Sequence, residues 1–209
     1  MPDMEKKTSA IFIAIDGIDG SGKTTLSSQL AQLLAAYDPL LTKEPTGDSE
    51  WGRRLRASAQ EGRLDKETEI EYFHKDRLHH LKNDIIPALS SGRVVICDRY
   101  VDSTLAFQAE NPQDADYMYN IFSKEILIPD ICFILQCPVK QGLARIAKNR
   151  TEISTFEIEE TLDAAAGIYS SRLKKGLPYV ALDATGSIDH TFNQARDSLK
   201  RQFPQLFQP

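Results

Sequence analysis

The sequence lacks long hydrophobic runs, and this absence excludes one class of protein at the outset. Its longest wholly apolar run is the six residues 10–15, whereas a helix that spans a bilayer needs roughly 18 or more. The first ten residues mix acids with bases and contain no apolar core typical of a signal peptide. We therefore expect a cytoplasmic protein without a membrane partner.

Cysteine is scarce, and positive charge is not in excess. The three cysteines, Cys97, Cys132 and Cys137, are odd in number and two lie inside apolar runs, so we expect reduced thiols in the core rather than disulfides. Lys and Arg number 25 against 30 Asp and Glu, which gives a formal net charge of −5. This sign is wrong for binding a nucleic acid backbone, so we expect no nucleic acid partner, and any polyanion must be small and held locally.

The rest of the composition is that of an ordinary globular protein, with 41% hydrophobic and 26% charged residues in 209 positions. No repeat or low-complexity linker divides the chain, so we expect residues 1–209 to form a single domain.

Strand-like and helix-like segments alternate along the chain. Short apolar runs rich in β-branched residues predict buried strands at 10–15, 39–42, 93–97, 131–135 and 179–182. Helical spacing predicts helices at 23–36, 50–90 (two or three helices), 102–126, 138–149, 157–174 and 188–202. The alternation predicts an α/β fold with a parallel sheet covered on both faces. Ligands of such sheets bind beyond the carboxyl ends of the strands.

A phosphate-loop motif follows the first predicted strand. Residues 17–24, GIDGSGKT, match G-x-x-x-x-G-K-[ST], and an apolar-periodic helix comes next, as the motif requires. Backbone N–H groups of the loop would surround phosphate oxygens, Lys23 would reach the β and γ phosphates of ATP, and Thr24 would hold Mg²⁺. The ATP-binding residues expected from this motif are Gly17, Ile18, Asp19, Gly20, Ser21, Gly22, Lys23, Thr24 and Thr25.

The residues after the third predicted strand favour a phosphate acceptor over a hydroxyl acceptor. Asp98 has the position of the Asp that accompanies a phosphate loop and orients Mg²⁺. Arg99 can bind a second phosphate with its planar guanidinium, and Arg77 offers another cation. A phosphate monoester is already a competent oxygen nucleophile at pH 7 and needs cations rather than a protein base. This pattern favours a nucleotide kinase.

Several segments resemble thymidylate kinases, a family of P-loop nucleoside monophosphate kinases. In order along the chain they are FIAIDGIDGSGKTT, KEPTGD, EYFHKDRLHHL, IIPALSSGRVVICDRYVDSTLAFQ and LDAT. The stretch from Pro87 to Gln108 is the most diagnostic, since many families share the phosphate loop. The resemblance implies a three-layer P-loop fold with a five-stranded parallel sheet, a homodimer, and Mg²⁺-dependent transfer of the γ-phosphoryl group of ATP to dTMP, giving dTDP and ADP.

The resemblance also implies roles at the acceptor site. Phe73 would stack on the thymine, and Arg77, one helical turn later, would contact the acceptor nucleotide. Arg99 would bind the monophosphate, and Asp19 would accept a hydrogen bond from the 3′-hydroxyl. The other residues that the resemblance implies at this site are Glu44, Pro45, Ser103, Thr104, Phe107 and Gln108.

One segment departs from the family pattern. The lid over ATP is expected at about 146–157, and Thr155 stands where the family often has an Arg. Arg150 would then supply the charge that stabilises the transferred group, and Arg145 would bind ATP. Two alternatives stay open: a kinase for another nucleotide or a nucleoside, and a nucleotide-binding sensor without turnover, which the Thr155 substitution motivates.

The remaining polar candidates are Asp16 and three histidines. Asp16 would either approach the metal or accept from backbone N–H groups of the turn. His74, His79 and His80 share one predicted helical segment, with no neighbouring Cys or carboxylate set that gives them a ligand pattern. We expect them to be surface or packing residues.

Overall fold

A central parallel sheet organises the computed structural model, which describes residues 10–149, 158–176 and 178–207. Its five strands pair in the order β2-β3-β1-β4-β5, and every pairing is parallel. The predicted strands are confirmed, and their ends differ by the one or two residues that commonly separate boundary assignments. The strands are β1 (Phe12–Gly17), β2 (Leu40–Lys43), β3 (Val95–Asp98), β4 (Ile131–Gln136) and β5 (Tyr179–Asp183).

Helices flank the sheet and connect its strands, so the α/β fold is confirmed. They are α1 (Lys23–Leu33), α2 (Glu50–Glu61), α3 (Lys66–His80), α4 (Ile86–Ser90), α5 (Val101–Gln108), α6 (Pro112–Phe122), α7 (Val139–Asn149), α8 (Glu159–Leu173) and α9 (Ile188–Gln202). A π-helical turn, Leu81–Ile85, joins α3 to α4. The helices pack in pairs, α1 on α9 and α5 on α8. Within the described ranges, none of these helices has both the length and the apolar character needed to cross a membrane.

The middle of the sheet forms the core. All residues of β1 and β3 are buried, because strands covered on both faces need near-continuous apolar sequence. The parallel register places Ala14 of β1 between Cys97 of β3 and Cys132 of β4. All three cysteines are buried and free of disulfides, so the prediction of reduced core thiols is confirmed.

One predicted helix is wrong. The segment 102–126 is not continuous but forms α5 and α6. Asn111 accepts a hydrogen bond from the Asp114 backbone N–H at 2.9 Å, and Pro112 stands in the first turn of α6. An Asn N-cap followed by Pro starts a new helix, because Pro has no N–H with which to continue the preceding one. The break ends α5 at Gln108.

Candidate active site

A cleft opens at the carboxyl ends of β1, β2 and β3, the edge at which parallel sheets bind ligands. Its volume is about 1130 Å³, and it extends from the phosphate loop to α2, α3 and α5. The cleft brings together most of the site residues expected from the sequence. Those that line it are Asp19, Gly20, Ser21, Gly22, Lys23, Thr24, Thr25, Glu44, Pro45, Phe73, Arg77, Asp98, Arg99, Ser103, Thr104, Phe107 and Arg145.

Glycines give the phosphate loop its shape. Gly22 precedes α1 with a φ of 102°, a conformation that favours glycine. At Gly20 a Cβ atom would lie 2.2 Å from the carbonyl oxygen of Gly142, so the close approach of α7 also requires glycine. Gly22, the N-cap of α1, has no side chain that could cap the helix, and the N–H groups of the first turn therefore remain available to an anion.

Lys23 is a buried cation at the phosphate loop. Its ammonium group donates to the Ile18 carbonyl oxygen at 2.8 Å and lies 3.9 Å from Asp19 Oδ1. Burial, together with the nearby charge of Arg99, lowers the pKa of Lys23 to about 8. An anionic phosphate at this position would favour the charged form of the lysine.

Thr24 and Asp98 provide oxygen ligands beside Lys23. Thr24 Oγ1 donates to Asp98 Oδ2 at 2.6 Å. Asp98 Oδ1 and Ser21 Oγ are buried and have no hydrogen-bond partner in the part of the chain that the structure describes. Unpartnered buried oxygens are unusual and costly, and hard oxygen donors are the ligands that Mg²⁺ prefers. These residues therefore fit a divalent cation.

Arg99 follows β3 with a φ of 73°, which is uncommon for a residue with a Cβ atom. Its Nη2 donates to Asp19 Oδ1 at 2.5 Å and its Nη1 to Ser103 Oγ at 3.2 Å. The guanidinium carbon lies 5.4 Å from the centre of the Phe107 ring. The phosphate loop, the end of β3 and helix α5 thus fix the guanidinium of Arg99 close to Lys23.

Asp16 is buried next to Arg99 and holds two residues that neighbour it. Its Oδ1 accepts from the backbone N–H of Tyr100 at 3.3 Å and from Ser103 Oγ at 2.5 Å. Burial raises the pKa of its carboxyl group. The backbone N–H from which Asp16 accepts is that of Tyr100, after β3, so the expectation of a donor in the phosphate-loop turn is wrong.

Arg77 occupies the other end of the cleft. Its Nε and Nη2 donate to Glu44 Oε2 at 2.9 and 2.7 Å, and Nη2 also donates to Thr104 Oγ1 at 2.9 Å. Its Nη1 is buried and has no hydrogen-bond partner among the described residues. The guanidinium is therefore fixed along one side and retains a donor that a ligand could use.

The prediction that no Cys or carboxylate set gives the histidines a ligand pattern is wrong for His80. This residue is fully buried, and possible ligand atoms of Glu44, His80 and Cys97 lie within 4.8 Å of one another. Because the Glu44 carboxylate is already paired with the cationic Arg77, we interpret the cluster as a hydrogen-bond network rather than a metal site. His74 stacks on Phe122, which fits the expected packing role.

Comparison with known proteins shows which family the chain is similar to. A family model described as "Thymidylate kinase" matches residues 15–195. The chain is 38% identical over 196 residues to the thymidylate kinase of Xanthomonas campestris pv. campestris (strain B100), covering 92% of this chain and 84% of the relative. It is 39% identical, with the same coverage, to that of Xanthomonas euvesicatoria pv. vesicatoria (strain 85-10). For that of Brachyspira hyodysenteriae (strain ATCC 49526 / WA1), the identity is 36%, covering 77% of this chain and 79% of the relative.

The chain belongs to the thymidylate kinase family. The resemblance to thymidylate kinases deduced from the sequence is thereby confirmed.

A few of the expected site residues are not among those that line the cleft. Gln108 is beside the cleft but not in its lining, and its amide donates to Glu69 Oε2 at 2.9 Å. Gly17 and Ile18 are also not among the lining residues. Arg150 and Thr155 are outside the described residues, as is the lid from residue 150 onward.

Two parts of the cleft wall were not predicted from the sequence. One is a face of α2, and the other follows β5 at the start of α9. The second part could have been found from the sequence, because ligands bind beyond the carboxyl ends of parallel strands. Helix α2, in contrast, has no motif that marks it as part of a thymidylate kinase site. The missed residues include Leu55, Arg56, Ala59, Gln60, Gly186, Ser187, Ile188 and Thr191.

Proposed function

We propose that this protein phosphorylates dTMP, using ATP and Mg²⁺ to give dTDP and ADP for dTTP synthesis. The observation that carries the proposal is the single cleft that joins a phosphate loop to the Arg77 and Phe73 end. Membership of the thymidylate kinase family supports the same reaction and the use of ATP.

The phosphate loop binds the donor. Backbone N–H groups of the loop and of the first turn of α1 hold the phosphates of ATP, and Lys23 reaches the β and γ phosphates. Arg145 lies beside the loop, where its Nη2 donates to the Ala184 carbonyl oxygen at 2.9 Å, and we assign it to the binding of ATP. Thr24 and Asp98 would hold Mg²⁺, which when bound neutralises charge on the β and γ phosphates.

The acceptor binds at the opposite end. Phe73 stacks on the thymine, and Arg77 Nη1 donates to the base. Arg99 holds the monophosphate, while Asp19 accepts from the sugar 3′-hydroxyl. The pocket wall includes Glu44, Pro45, Ser103, Thr104 and Phe107, with Gln108 beside it.

Phosphoryl transfer requires little from the protein beyond positioning the two nucleotides and stabilising charge. The acceptor phosphate is already anionic, so one of its oxygens attacks the γ phosphorus without a protein base. Lys23 and Arg99 hold the two nucleotides in line and stabilise the charge that develops during transfer. Arg150, in the lid at 146–157, supplies a further positive charge, and closure of the lid excludes water as a competing acceptor.

Assembly and location follow the family pattern. We propose a homodimer of single-domain subunits in the cytoplasm. Light scattering of the purified protein would measure the first point, with a mass of twice the chain expected.

The reaction is tested by Mg²⁺-dependent ADP release from ATP with a panel of acceptors. The panel contains dTMP, dUMP, UMP, CMP, dGMP and thymidine. A strong preference for dTMP is expected. Activity with another acceptor only would refute the assignment to dTMP, and tight ATP binding with no acceptor-stimulated release would indicate a sensor.

A further inference from the structure

We propose that His80 is a positioning residue for the acceptor site. It fixes the carboxylate of Glu44, and through Glu44 the guanidinium of Arg77, so that Arg77 Nη1 points at the acceptor base. The inference rests on the proposed function, because it assigns His80 to the binding of dTMP.

The backbone brings these groups together from two elements, β2 and α3. Thr42 lies on β2, in register with Cys97 of β3, and Glu44 follows at the end of the same strand. His80 ends α3, three residues after Arg77. Residues three apart share one face of a helix, so both side chains reach the same carboxylate.

Each oxygen of Glu44 has its own partner. Oε2 accepts from Nε and Nη2 of Arg77 at 2.9 and 2.7 Å, and Oε1 lies 3.2 Å from His80 Nδ1. On the other side of the ring, His80 Nε2 lies 2.7 Å from Thr42 Oγ1. The result is a continuous chain of contacts from β2 to the cleft.

The chemistry of these groups sets the direction of the hydrogen bonds. An ionised carboxylate only accepts, so His80 Nδ1 carries the proton that faces Glu44. In the neutral imidazole, Nε2 then accepts from the Thr42 hydroxyl, so this tautomer satisfies both neighbours. The side chains of His80, Glu44 and Arg77 are almost fully buried, so water cannot replace a lost partner. A buried network of this kind holds its members in one orientation.

Loss of the imidazole would leave Glu44 Oε1 buried without a partner. The carboxylate would then rotate to find another donor, and the paired guanidinium would move with it. This change affects the acceptor end of the cleft, whereas the phosphate loop that binds ATP is built from other residues.

Substitutions at His80 separate this role from simple core packing. His80→Leu removes both ring nitrogens, whereas the amide nitrogen of His80→Asn stands near the position of Nδ1 and can still donate to Glu44. Thr42→Val removes only the partner of Nε2. His79→Leu is the matched control, because His79 neighbours His80 on α3 but packs against Trp51 of α2. For each variant, kcat, the KM for dTMP, the KM for ATP and the thermal midpoint are measured.

We expect His80→Leu to raise the KM for dTMP about tenfold, the effect of losing a hydrogen bond to a charged group, and to leave the KM for ATP within about twofold. His80→Asn should recover most of the loss, Thr42→Val should have a smaller effect than His80→Leu, and His79→Leu should match the wild type. Unchanged dTMP KM in His80→Leu, or equal effects of Leu and Asn at this position, would overturn the proposal.

Equilibrium binding of dTMP without ATP gives the same ranking without requiring turnover. Wild-type binding without phosphorylation would contradict the proposed reaction but not the role of His80, which the ranking of dissociation constants would still decide. A wild type that does not bind dTMP would overturn both.

Discussion

Two buried arginines in this protein are bonded in different ways. Arg77 and Arg172 are 1% and 2% exposed. Arg172, on α8, donates from Nε to Asp102 Oδ1 at 2.8 Å, from Nη1 to Asp116 Oδ1 at 3.2 Å, and from Nη2 to the Tyr179 hydroxyl. Arg77 is anchored by Glu44 and Thr104 but leaves its Nη1 without a partner among the described residues.

This difference in hydrogen bonding shows where the folded protein leaves buried polar atoms unpaired, at a cost in stability. Buried polar atoms are normally hydrogen-bonded, since an unmet donor or acceptor costs about 1–3 kcal/mol. Among the described residues six buried side-chain atoms lack a partner, and four of them belong to cleft-lining residues. These four residues are Ser21, Gln29, Arg77 and Asp98. The cluster around Arg172 ties α5 and α8 together, whereas the cleft holds groups that a ligand would complete.

The largest effect is expected at the phosphate loop. Lys23→Met should lower kcat about 10³-fold, because it removes a preorganised charge from the transferred phosphoryl group. The free energy of unfolding should stay the same or rise, since burial already disfavours the charged lysine in the folded state. Steady-state kinetics and urea unfolding measure the two effects. An active variant would contradict the role given to Lys23.

Asp98 tests whether its unpartnered oxygen is held for a metal. Asp98→Asn keeps the shape of the side chain but removes its charge. The Mg²⁺ concentration for half-maximal activity should rise about 10- to 100-fold, the usual cost of losing a residue that orients a metal or its bound water. A Mg²⁺ titration of wild type and variant measures the shift, and identical curves would show that Asp98 serves only to end β3.

A smaller effect is expected from pH. Lys23 is charged below its pKa of about 8 and becomes neutral above it, so ATP should bind more weakly as the pH rises from 8 to 9.5. The loss should approach tenfold per pH unit, because binding then requires uptake of one proton. Calorimetric titration of the protein with ATP, without acceptor, measures this dependence. Lys23→Arg keeps its charge and should remove the dependence; the same slope in both proteins would contradict this explanation.

Much of the fold could be deduced from sequence because its signals are local. Apolar runs and the phosphate loop identified the strands and the first helix. The break at Asn111 and Pro112 was also visible as a turn-forming dipeptide, but the helical spacing on either side concealed it. The strand order β2-β3-β1-β4-β5 has no local signal, because it depends on which crossovers pack best.

The candidate site also has one part that local sequence signals predict and one part that they do not. Lys23, Thr24, Asp98 and Arg99 stand at positions that a motif or strand end marks. The network of His80 is different: it joins α3 to β2, and neither segment indicates the contact by itself. A lone histidine in a helical segment is typical of packing, and only the fold brings Glu44 to it.

The central claim concerns the two buried arginines. The one with incomplete hydrogen bonding, Arg77, binds the ligand, whereas the fully bonded Arg172 stabilises the fold. The most direct test compares Arg77→Lys with Arg172→Lys, since lysine keeps the charge but loses the planar fork. We predict that Arg77→Lys lowers kcat/KM for dTMP about 10- to 100-fold. Arg172→Lys should change kcat/KM less than about threefold but lose about 2 kcal/mol more unfolding free energy than Arg77→Lys. Equal kinetic losses in the two variants, or the larger loss of stability in Arg77→Lys, would contradict the claim.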